Sequence, residues 1–376
     1  MSEFDRHWIR VALRLARRGL GNVWPNPAVG CVLLRQGADG HEVIGRGWTQ
    51  SGGRPHAEAE ALRRARSAFG PGVIRGAVAF VSLEPCDHYG ETLPCSRALV
   101  EAGVARVVVA CEDPDPRVAG AGLRRLRNAG VEVVDGVCEA DARELNAGFF
   151  MRLTKGRPLV TLKCASTMDG RIAAHGGRSK WITGQAARAR GHLLRAQSDA
   201  IVVGVGTALA DDPDLTCRLP GLESSSPVRV VIDSRLRLPL ASKLVATAED
   251  RPTWLITRDD SAREHLDAYR EAGVETIQVA PNAHGKVDLA AGLSELARRG
   301  ITRLLVEGGA KLSAGLLEAD LVDRLAWFRA PSLLGGDGLS AIAALGLDAP
   351  EEAPRFAMIE RIPLDQDMLE TYVHRV

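Results

Sequence analysis

Short apolar runs alternate with amphipathic segments along this chain, and the alternation starts again once, at the basic turn Lys155–Pro158. Before the turn, an apolar run such as Ala28–Leu34 is followed by a segment with helical spacing such as Ala57–Ala68. Strands that alternate with helices predict sheets covered by helices. We therefore expect an α/β protein with two domains, which span residues 1–152 and 157–376.

The same pattern predicts the individual elements. Helical spacing marks nine segments: Asp5–Arg18, Ala57–Ala68, Ser96–Ala102, Gly120–Ala129, Glu139–Phe150, Gln185–Gln197, Ser261–Ala272, Leu289–Arg299 and Lys311–Ala319. Apolar runs predict ten strands: Ala28–Leu34, Ala77–Leu83, Arg106–Ala110, Val131–Val134, Leu159–Cys164, Ala200–Val205, Val228–Ile232, Trp254–Thr257, Thr276–Val279 and Arg303–Val306.

Composition excludes several classes of protein. The 376 residues include 48 Lys and Arg against 47 Asp and Glu, so the net charge of +1 argues against a generally basic nucleic-acid binder. No apolar run approaches the roughly 18–20 residues of a membrane span, and Met1–Arg10 lacks the apolar region of a signal peptide. Seven cysteines are too few for a disulfide scaffold. We expect a reduced, soluble, cytoplasmic protein that contacts neither membrane nor nucleic acid.

The clearest chemical signal is a set of metal-ligand residues in the first half. His56 is followed two residues later by Glu58, and Cys86 and Cys95 come further on, each directly after a proline. One imidazole and two thiolates suit a catalytic zinc ion, because they leave the fourth tetrahedral position for water. Glu58 would then take a proton from that water and return it to a departing amine, as zinc nucleobase deaminases do.

The same residue types also occur in a closed structural zinc site and in an apolar core. A structural zinc site normally has a fourth protein ligand, and His88 is the nearby candidate for that position. Cysteines are commonly buried as small apolar residues, which is the expected state of the five that lie outside the set. The proline before each cysteine and the strand leading to Cys86 argue against the apolar core. A helix that starts at Cys95 favours a thiolate ligand, because a helix N-terminus lowers the pKa of a thiol.

The second half has a weaker signal for anion binding. Val306–Lys311 reads as a strand that passes through the pair Gly308–Gly309 into a helix. Backbone N–H groups at such a helix start can hold a phosphate. A tight strand-to-helix turn explains the glycines equally well.

The first half resembles the deaminase part of the bifunctional riboflavin-biosynthesis deaminase/reductase family. The resemblance rests on the run Asn26–Cys31, on His56-Ala57-Glu58, and on Glu84–Cys95 with its eight-residue gap between the cysteines. It implies a cytidine-deaminase-like α/β/α sandwich, one catalytic Zn²⁺, and contacts from Asn26 and His88 to the pyrimidine. Glu91 stands where the family usually has a basic residue that binds phosphate, so Arg54 or Arg97 would have to replace it.

The second half resembles the reductase part of the same family, through the blocks Leu162–Arg171, Ser179–Thr183, Gly206–Pro213 and Glu307–Gly309. The resemblance implies a dihydrofolate-reductase-like α/β domain that binds NADPH. The implied cofactor contacts are Ala165, Trp181, Thr207, Asp211, Ser234 and Gly309. The implied substrate contacts are Ser179, Arg195, Leu215, Arg218 and Glu307.

Two ionisable residues in the second half are candidates for proton transfer while the sugar ring opens. They are Lys163 and Asp211, although a strand-end lysine and a loop aspartate are more often solvated or paired. Arg195 and Arg218 suit a phosphate, because a guanidinium can bind it with two parallel hydrogen bonds.

The resemblance implies a zinc hydrolase joined to an NADP-dependent oxidoreductase that acts on small phosphorylated pyrimidines, as a homodimer or homotetramer. Two alternatives remain at this point. One is a deaminase of nucleic acid or free nucleosides fused to a reductase-like domain, and the other is a non-catalytic regulatory protein that binds zinc and nucleotide.

Overall fold

The computed structural model describes residues 2–37, 40–89, 93–115 and 119–375. The chain divides into two compact units, Met1–Gly156 and Arg157–Val376, and each has its own large β-sheet. None of the helices in the described ranges combines the length and hydrophobicity that crossing a membrane requires. The α/β class predicted from the alternation of strands and helices is confirmed.

The first unit contains six helices and five strands within the described residues. The helices are α1 (Glu3–Ala16), α2 (Ala57–Phe69), α3 (Cys95–Glu101), α4 (Ala121–Asn128), α5 (Glu139–Leu145) and α6 (Ala147–Lys155). The strands are β1 (Gly30–Gly37), β2 (Gly40–Trp48), β3 (Val78–Val81), β4 (Arg106–Val109) and β5 (Glu132–Val134).

The sheet of the first unit has the order β2-β1-β3-β4-β5. β1 pairs antiparallel with β2 and β3, whereas β3, β4 and β5 are parallel. Apolar side chains of α1 and α2, among them Ile9 and Leu62, share one buried core with the strands. Packing on the sheet thus fixes the position of α2, which contains Glu58 and begins directly after His56.

Two features of the first unit were not predicted. β2 was missed because it is an edge strand with three glycines, a histidine, a glutamate and an arginine, so it shows no continuous apolar run. The segment Glu139–Phe150 was predicted as one helix, but it breaks at Asn146 into α5 and α6. The buried Asn146 side chain accepts a hydrogen bond from the Ala28 N–H at 2.9 Å and donates one to the Ala28 carbonyl at 3.0 Å.

The second unit contains six helices and eleven strands among its described residues. The helices are α7 (Gln185–Ala196), α8 (Val205–Asp211), α9 (Lys243–Ala246), α10 (Arg263–Glu271), α11 (Leu289–Arg298) and α12 (Ala310–Glu318). The strands are β6 (Leu159–Thr167), β7 (Arg171–Ala173), β8 (Ala200–Gly204), β9 (Val228–Ile232), β10 (Thr253–Arg258), β11 (Glu275–Val279), β12 (Arg303–Glu307), β13 (Arg324–Ala330), β14 (Leu339–Ser340), β15 (Phe356–Leu364) and β16 (Asp367–His374).

Nine of these strands form one sheet in the order β11-β10-β9-β8-β12-β6-β13-β16-β15. The strands from β11 to β13 are parallel, and β16 and β15 continue the sheet antiparallel. In a parallel sheet the carboxyl ends of the strands meet at one edge, where ligands of α/β proteins usually bind.

The C-terminal strands β13, β15 and β16 were not predicted. β15 exposes about half of its residues, and charged residues interrupt the apolar positions of all three strands, among them Arg329, Arg361 and Glu370. A strand interrupted in this way does not produce a continuous apolar run. The helices predicted between residues 185 and 319 agree with α7, α10, α11 and α12 within two residues at each end.

Candidate active sites

Three metal-ligand side chains meet in the first unit. His56 is the residue before α2, Cys86 lies in the loop after β3, and Cys95 is the first residue of α3. The His56 Nδ1 atom is 3.5 Å from Cys86 Sγ and 3.4 Å from Cys95 Sγ, and the three donor atoms all lie within 4.8 Å of one another.

These distances fit a zinc ion. Tetrahedral zinc with the usual Zn–N and Zn–S bond lengths separates a nitrogen ligand from a sulfur ligand by about 3.6 Å. Within the described ranges, His56, Cys86 and Cys95 form the one group of at least three metal-ligand side chains close enough to share an ion. The site therefore offers three protein ligands, which is the number that a catalytic zinc site provides.

The alternative of a closed structural site depends on His88, and His88 does not belong to the cluster. Its Nδ1 atom is buried and has no hydrogen-bond partner among the described residues. A buried nitrogen without a partner is rare in folded proteins and suits a group that meets a ligand. This state agrees with the substrate contact expected of His88.

The electrostatics of the cluster suit proton transfer by Glu58. Hydrogen bonds with Cys95 and His56 lower the pKa of the Cys86 thiol to about 4, which favours the thiolate that binds metal. Burial, followed by the charge of Cys86, raises the pKa of Glu58 to about 7. A carboxyl group with a pKa near neutrality can both accept and donate a proton at physiological pH.

Close backbone packing holds α2 in place. A Cβ atom at Gly47 of β2 would lie 2.1 Å from the carbonyl oxygen of Ala57 and 2.6 Å from the nitrogen of Ala61. Only a glycine permits this approach of strand and helix. The position of the helix start, and with it of His56 and Glu58, therefore depends on this contact.

Sequence reasoning gave no role to Glu84, which anchors the loop that carries Cys86. The buried Glu84 carboxylate accepts backbone N–H groups of Asp113 at 3.2 Å, Gly120 at 2.9 Å, Gly122 at 3.0 Å and Leu123 at 3.3 Å. It thus joins the start of α4 to the segment just before Cys86. A glutamate two residues before a ligand cysteine is the signal that could have identified it.

The other predicted residues of the first unit have different surroundings. The Asn26 amide lies against Gly53, where a Cβ atom would be 1.9 Å from Asn26 Nδ2. Arg97 pairs with Glu101 at 2.7 Å and also donates to the Tyr89 hydroxyl. Glu91 lies outside the described residues.

The second unit has a cleft of about 1360 Å³ at the carboxyl ends of β6, β8, β9 and β12. This exceeds the roughly 300–1,000 Å³ typical of a pocket for one small ligand, so the cleft can hold a dinucleotide and a second molecule. Nine residues predicted from the sequence line it: Lys163, Ala165, Ser179, Arg195, Thr207, Asp211, Leu215, Glu307 and Gly309.

Three other predicted residues lie outside the lining of the cleft. Trp181 is 70% exposed, and the Arg188 guanidinium stacks 4.2 Å from the centre of its ring. The Ser234 hydroxyl accepts the Val287 N–H at 3.0 Å, and the Arg218 N–H donates to His192 Nδ1 at 3.3 Å.

A buried ion network forms the floor of the cleft. Arg195 donates to both Glu307 oxygens, at 2.7 and 2.9 Å, and Lys163 Nζ is 3.6 Å from the same carboxylate. Burial alone would raise the pKa of Glu307, but Lys163 and Arg195 outweigh this effect and hold it at about 2. Glu307 takes two of the five N–H groups of Arg195, and the Thr216 carbonyl takes a third at 2.9 Å, so two N–H groups remain for another anion.

The glycine pair next to this network leaves space for a ligand. Gly308 and Gly309 have φ angles of 89° and 88°, which favour glycine, and Gly309 precedes the nine-residue helix α12. A Cβ atom at Gly309 would come within 3.1 Å of the Thr207 hydroxyl oxygen. The open backbone at a helix start fits the pyrophosphate of a dinucleotide.

Comparison with known proteins bears on both units. The family model of the RibD C-terminal domain matches residues 158–368, and that of the cytidine and deoxycytidylate deaminase zinc-binding region matches residues 2–111. The chain is 40% identical to the riboflavin biosynthesis protein RibD of Aquifex aeolicus, over 93% of each sequence. It is also 40% identical to the RibD protein of Escherichia coli, over 95% of each sequence. The chain belongs to the RibD family.

Solved structures agree with membership of the RibD family. A RibD structure from Acinetobacter baumannii superposes with a TM-score of 0.87 at 39% identity, covering 99% of both chains. A diaminohydroxyphosphoribosylaminopyrimidine deaminase/5-amino-6-(5-phosphoribosylamino)uracil reductase from Thermotoga maritima superposes with a TM-score of 0.85 at 34% identity, also over 99% of both.

These matches confirm the resemblance, the fold of each half and the bifunctional deaminase/reductase class that the motifs predicted. They set aside the nucleic-acid deaminase and the non-catalytic regulatory protein, because RibD proteins match nearly the whole chain. The zinc-binding family model covers all three residues, His56, Cys86 and Cys95, and the structure brings their donor atoms together.

Proposed function

We propose that the first unit removes the amino group of 2,5-diamino-6-(phosphoribosylamino)pyrimidin-4-one by hydrolysis. The second unit then reduces the ribosyl side chain of the product with NADPH and gives 5-amino-6-(5-phosphoribitylamino)uracil. The observation that carries the proposal is the cluster of His56, Cys86 and Cys95 beside the buried Glu58, in a chain whose second unit has a separate cleft.

In the first unit, His56, Cys86 and Cys95 would hold the zinc ion. Zinc, when bound, lowers the pKa of a coordinated water so that the water can act as a nucleophile at neutral pH. Glu58 accepts the proton of the attacking water and delivers it to the amino group, which leaves as ammonia. Asn26 and His88 hold the pyrimidine ring in position for this transfer.

In the second unit, Ala165, Thr207, Asp211 and Gly309 would line the cofactor, joined by Trp181 and Ser234 when ligand is bound. NADPH supplies the hydride, and the protein supplies position and charge. Lys163 donates a proton to the ring oxygen of the ribosyl group as the ring opens, and Asp211 exchanges protons with solvent. Ser179, Leu215, Arg218 and Glu307 face the substrate, and Glu307 keeps Arg195 and Lys163 in place.

The proposal is tested by following NADPH absorbance after the diaminopyrimidinone is added to zinc-loaded protein. Wild-type protein should consume NADPH, Glu58→Ala should not, and consumption by Glu58→Ala should return when the deaminated intermediate is supplied. The exposed acid Glu139 provides a control, since Glu139→Ala should behave as wild type. Consumption from the intermediate alone by wild-type protein would refute the deaminase half, and no consumption from either compound would refute both halves.

We further propose that the enzyme acts in the cytoplasm as a homodimer or homotetramer. All seven cysteines are free thiols, which suits a reducing compartment. Light scattering on the purified 40.2 kDa chain tests the oligomeric state, and a mass of one chain at micromolar concentration would contradict it.

A further inference from the structure

Helix α4 lies directly against the loop that carries Cys86. A Cβ atom at Gly122 of α4 would lie 2.0 Å from the Pro85 carbonyl oxygen, so helix and loop are in close backbone contact. Beside this contact, the Glu84 carboxylate accepts the backbone N–H groups at the start of α4. The loop is thus attached to α4 immediately before Cys86.

A second attachment to α4 follows immediately after Cys86. The Asp87 carboxylate accepts the Ser96 hydroxyl at 2.6 Å and the Nε–H group of Arg125, which belongs to α4, and both bonds end on the same oxygen, Oδ1. Ser96 is fully buried and comes directly after Cys95. Asp87 therefore joins the chain segments of both cysteine ligands to α4. We call Asp87, Ser96 and Arg125 the clamp.

Backbone bonds also join the two cysteine segments. The Ser96 N–H donates to the Cys86 carbonyl at 3.2 Å, and the Cys95 N–H donates to Cys86 Sγ at 3.4 Å. The clamp closes the same loop through side chains. Ligands that are held in place before the metal arrives bind it more tightly, because they lose less conformational freedom on binding.

The next residue on α4 offers a comparison with the clamp. Arg124 lines the same crevice of about 620 Å³ between α3 and α4 as Asp87 and Arg125 do. Its guanidinium donates to the Ala119 carbonyl at 3.4 Å. Arg124 therefore has the charge of Arg125 and similar surroundings, but it does not belong to the clamp.

We infer that Asp87 and Arg125 are positioning residues of the zinc site, which hold the thiolates of Cys86 and Cys95 at the separation that a shared zinc ion requires. The inference rests on the proposed function, in which both cysteines bind zinc. Asp87 acts through its neighbours, since the residue before it is one ligand and the hydroxyl that it binds belongs to the residue after the other. The clamp thus determines how tightly the first unit retains its metal.

The test measures the zinc dissociation constant of the full-length protein by competition with a chromogenic chelator. Asp87→Ala should weaken zinc binding by about 10–100-fold, the usual effect of removing a residue that orients a metal ligand. Arg125→Met should weaken it about two- to fivefold, because the Arg125 side chain is 41% exposed and solvent screens its pair with Asp87. The matched control Arg124→Met should leave the constant unchanged.

A double variant tests whether Arg125 acts through Asp87. In the Asp87→Ala background, Arg125→Met should cause no further loss of zinc affinity, because residues that act through one contact have non-additive effects. If the two losses multiply instead, Arg125 acts independently of Asp87 and its positioning role is overturned.

Cobalt substitution separates positioning from general destabilisation. Co²⁺ bound in place of zinc absorbs light through its bonds to thiolates, so Asp87→Ala should alter this absorption band in the folded protein and Arg124→Met should not. A lower unfolding temperature of Asp87→Ala with unchanged cobalt spectrum and zinc affinity would overturn the inference. Asp87→Asn keeps an oxygen that can accept the Ser96 hydroxyl, so it should retain part of the affinity, and it replaces Asp87→Ala if that variant does not fold.

The kinetic results separate the inference from the function on which it rests. Saturating zinc should restore the deaminase rate of Asp87→Ala, because the bound metal then holds the thiolates itself. A higher KM for the diaminopyrimidinone at saturating zinc would overturn the inference, since Asp87 would then face the substrate. NADPH consumption from the deaminated intermediate should stay at the wild-type rate in every variant. If wild-type protein binds no zinc, the proposed deaminase function itself fails.

Discussion

Replacing Gly47 with alanine should disable the deaminase unit while the reductase unit keeps its activity. The added Cβ atom would lie 2.1 Å from the Ala57 carbonyl oxygen, whereas real Cβ atoms essentially never approach below 3.0 Å. Strand β2 and helix α2 must therefore move apart by about 0.9 Å, and the neighbouring atom is backbone that cannot rotate away. Such overpacking typically costs about 1–3 kcal/mol of unfolding free energy.

The displacement reaches the chemistry directly, because Ala57 lies between His56 and Glu58. A catalytic group misplaced by about 1 Å can lower the rate about a hundredfold. We therefore expect Gly47→Ala to reduce the rate of NADPH consumption from the diaminopyrimidinone by about that factor, and to retain less zinc after dialysis.

The same assay provides an internal reference. NADPH consumption with the deaminated intermediate as substrate depends on the second unit alone, so its rate should stay at the wild-type value. Gly72→Ala is the matched control, because a Cβ atom at Gly72 meets nothing within 4 Å. If Gly47→Ala deaminates within about twofold of the wild-type rate, α2 does not depend on this contact and the reasoning is wrong.

Three further predictions follow from buried polar groups. Asn146→Ala removes both hydrogen bonds to Ala28 and should destabilise the loop that carries Asn26 by about 1–3 kcal/mol. The KM of the deaminase step should therefore rise. An unchanged KM would show that the loop does not depend on these two bonds. Arg229→Met should lower the unfolding free energy in urea by about 3 kcal/mol, because Arg229 is 1% exposed and its two terminal nitrogens lie within hydrogen-bond distance of five acceptors, among them the carbonyls of Leu244, Thr247 and Arg251. A loss no larger than that of Arg263→Met, at an arginine that is 92% exposed on α10, would contradict this. Glu307 has a folded-state pKa of about 2 against an ordinary value of 4.5. The ionised Glu307 carboxylate therefore stabilises the folded protein fully above pH 4.5, and this contribution is lost as the pH falls towards 2. The stability difference between wild type and Glu307→Gln should accordingly shrink by about 3 kcal/mol between pH 5 and pH 2 in denaturant titrations, and a difference independent of pH would refute the assignment.

The zinc cluster is a site that the sequence predicts well. One histidine and two cysteines predict a zinc ligand set, and a glutamate two positions after the histidine predicts the proton acceptor, without knowledge of the fold. The structure brings the three donors within 4.8 Å, and α2 begins at the residue that helical spacing predicted. Periodicity and ligand chemistry belong to short stretches of chain, so they can be read before the fold is known.

The ion network in the cleft shows the opposite case. Arg195 was expected to offer its guanidinium to a phosphate, but Glu307, more than a hundred residues away in the chain, binds two of its N–H groups. No local pattern signals a pair that forms only when α7 and the end of β12 pack together.

The sequence by itself determined the class of fold, the family, the zinc ligands and nine of the residues that line the reductase cleft. The tertiary structure decided that a glycine-rich edge strand supports α2, that Asn146 breaks a helix to hold Ala28, and that Glu307 occupies Arg195. The physical reason is the range of the interactions. Side-chain chemistry and periodicity act over a few residues, whereas close backbone approach and buried ion pairing depend on segments that meet only in the folded chain.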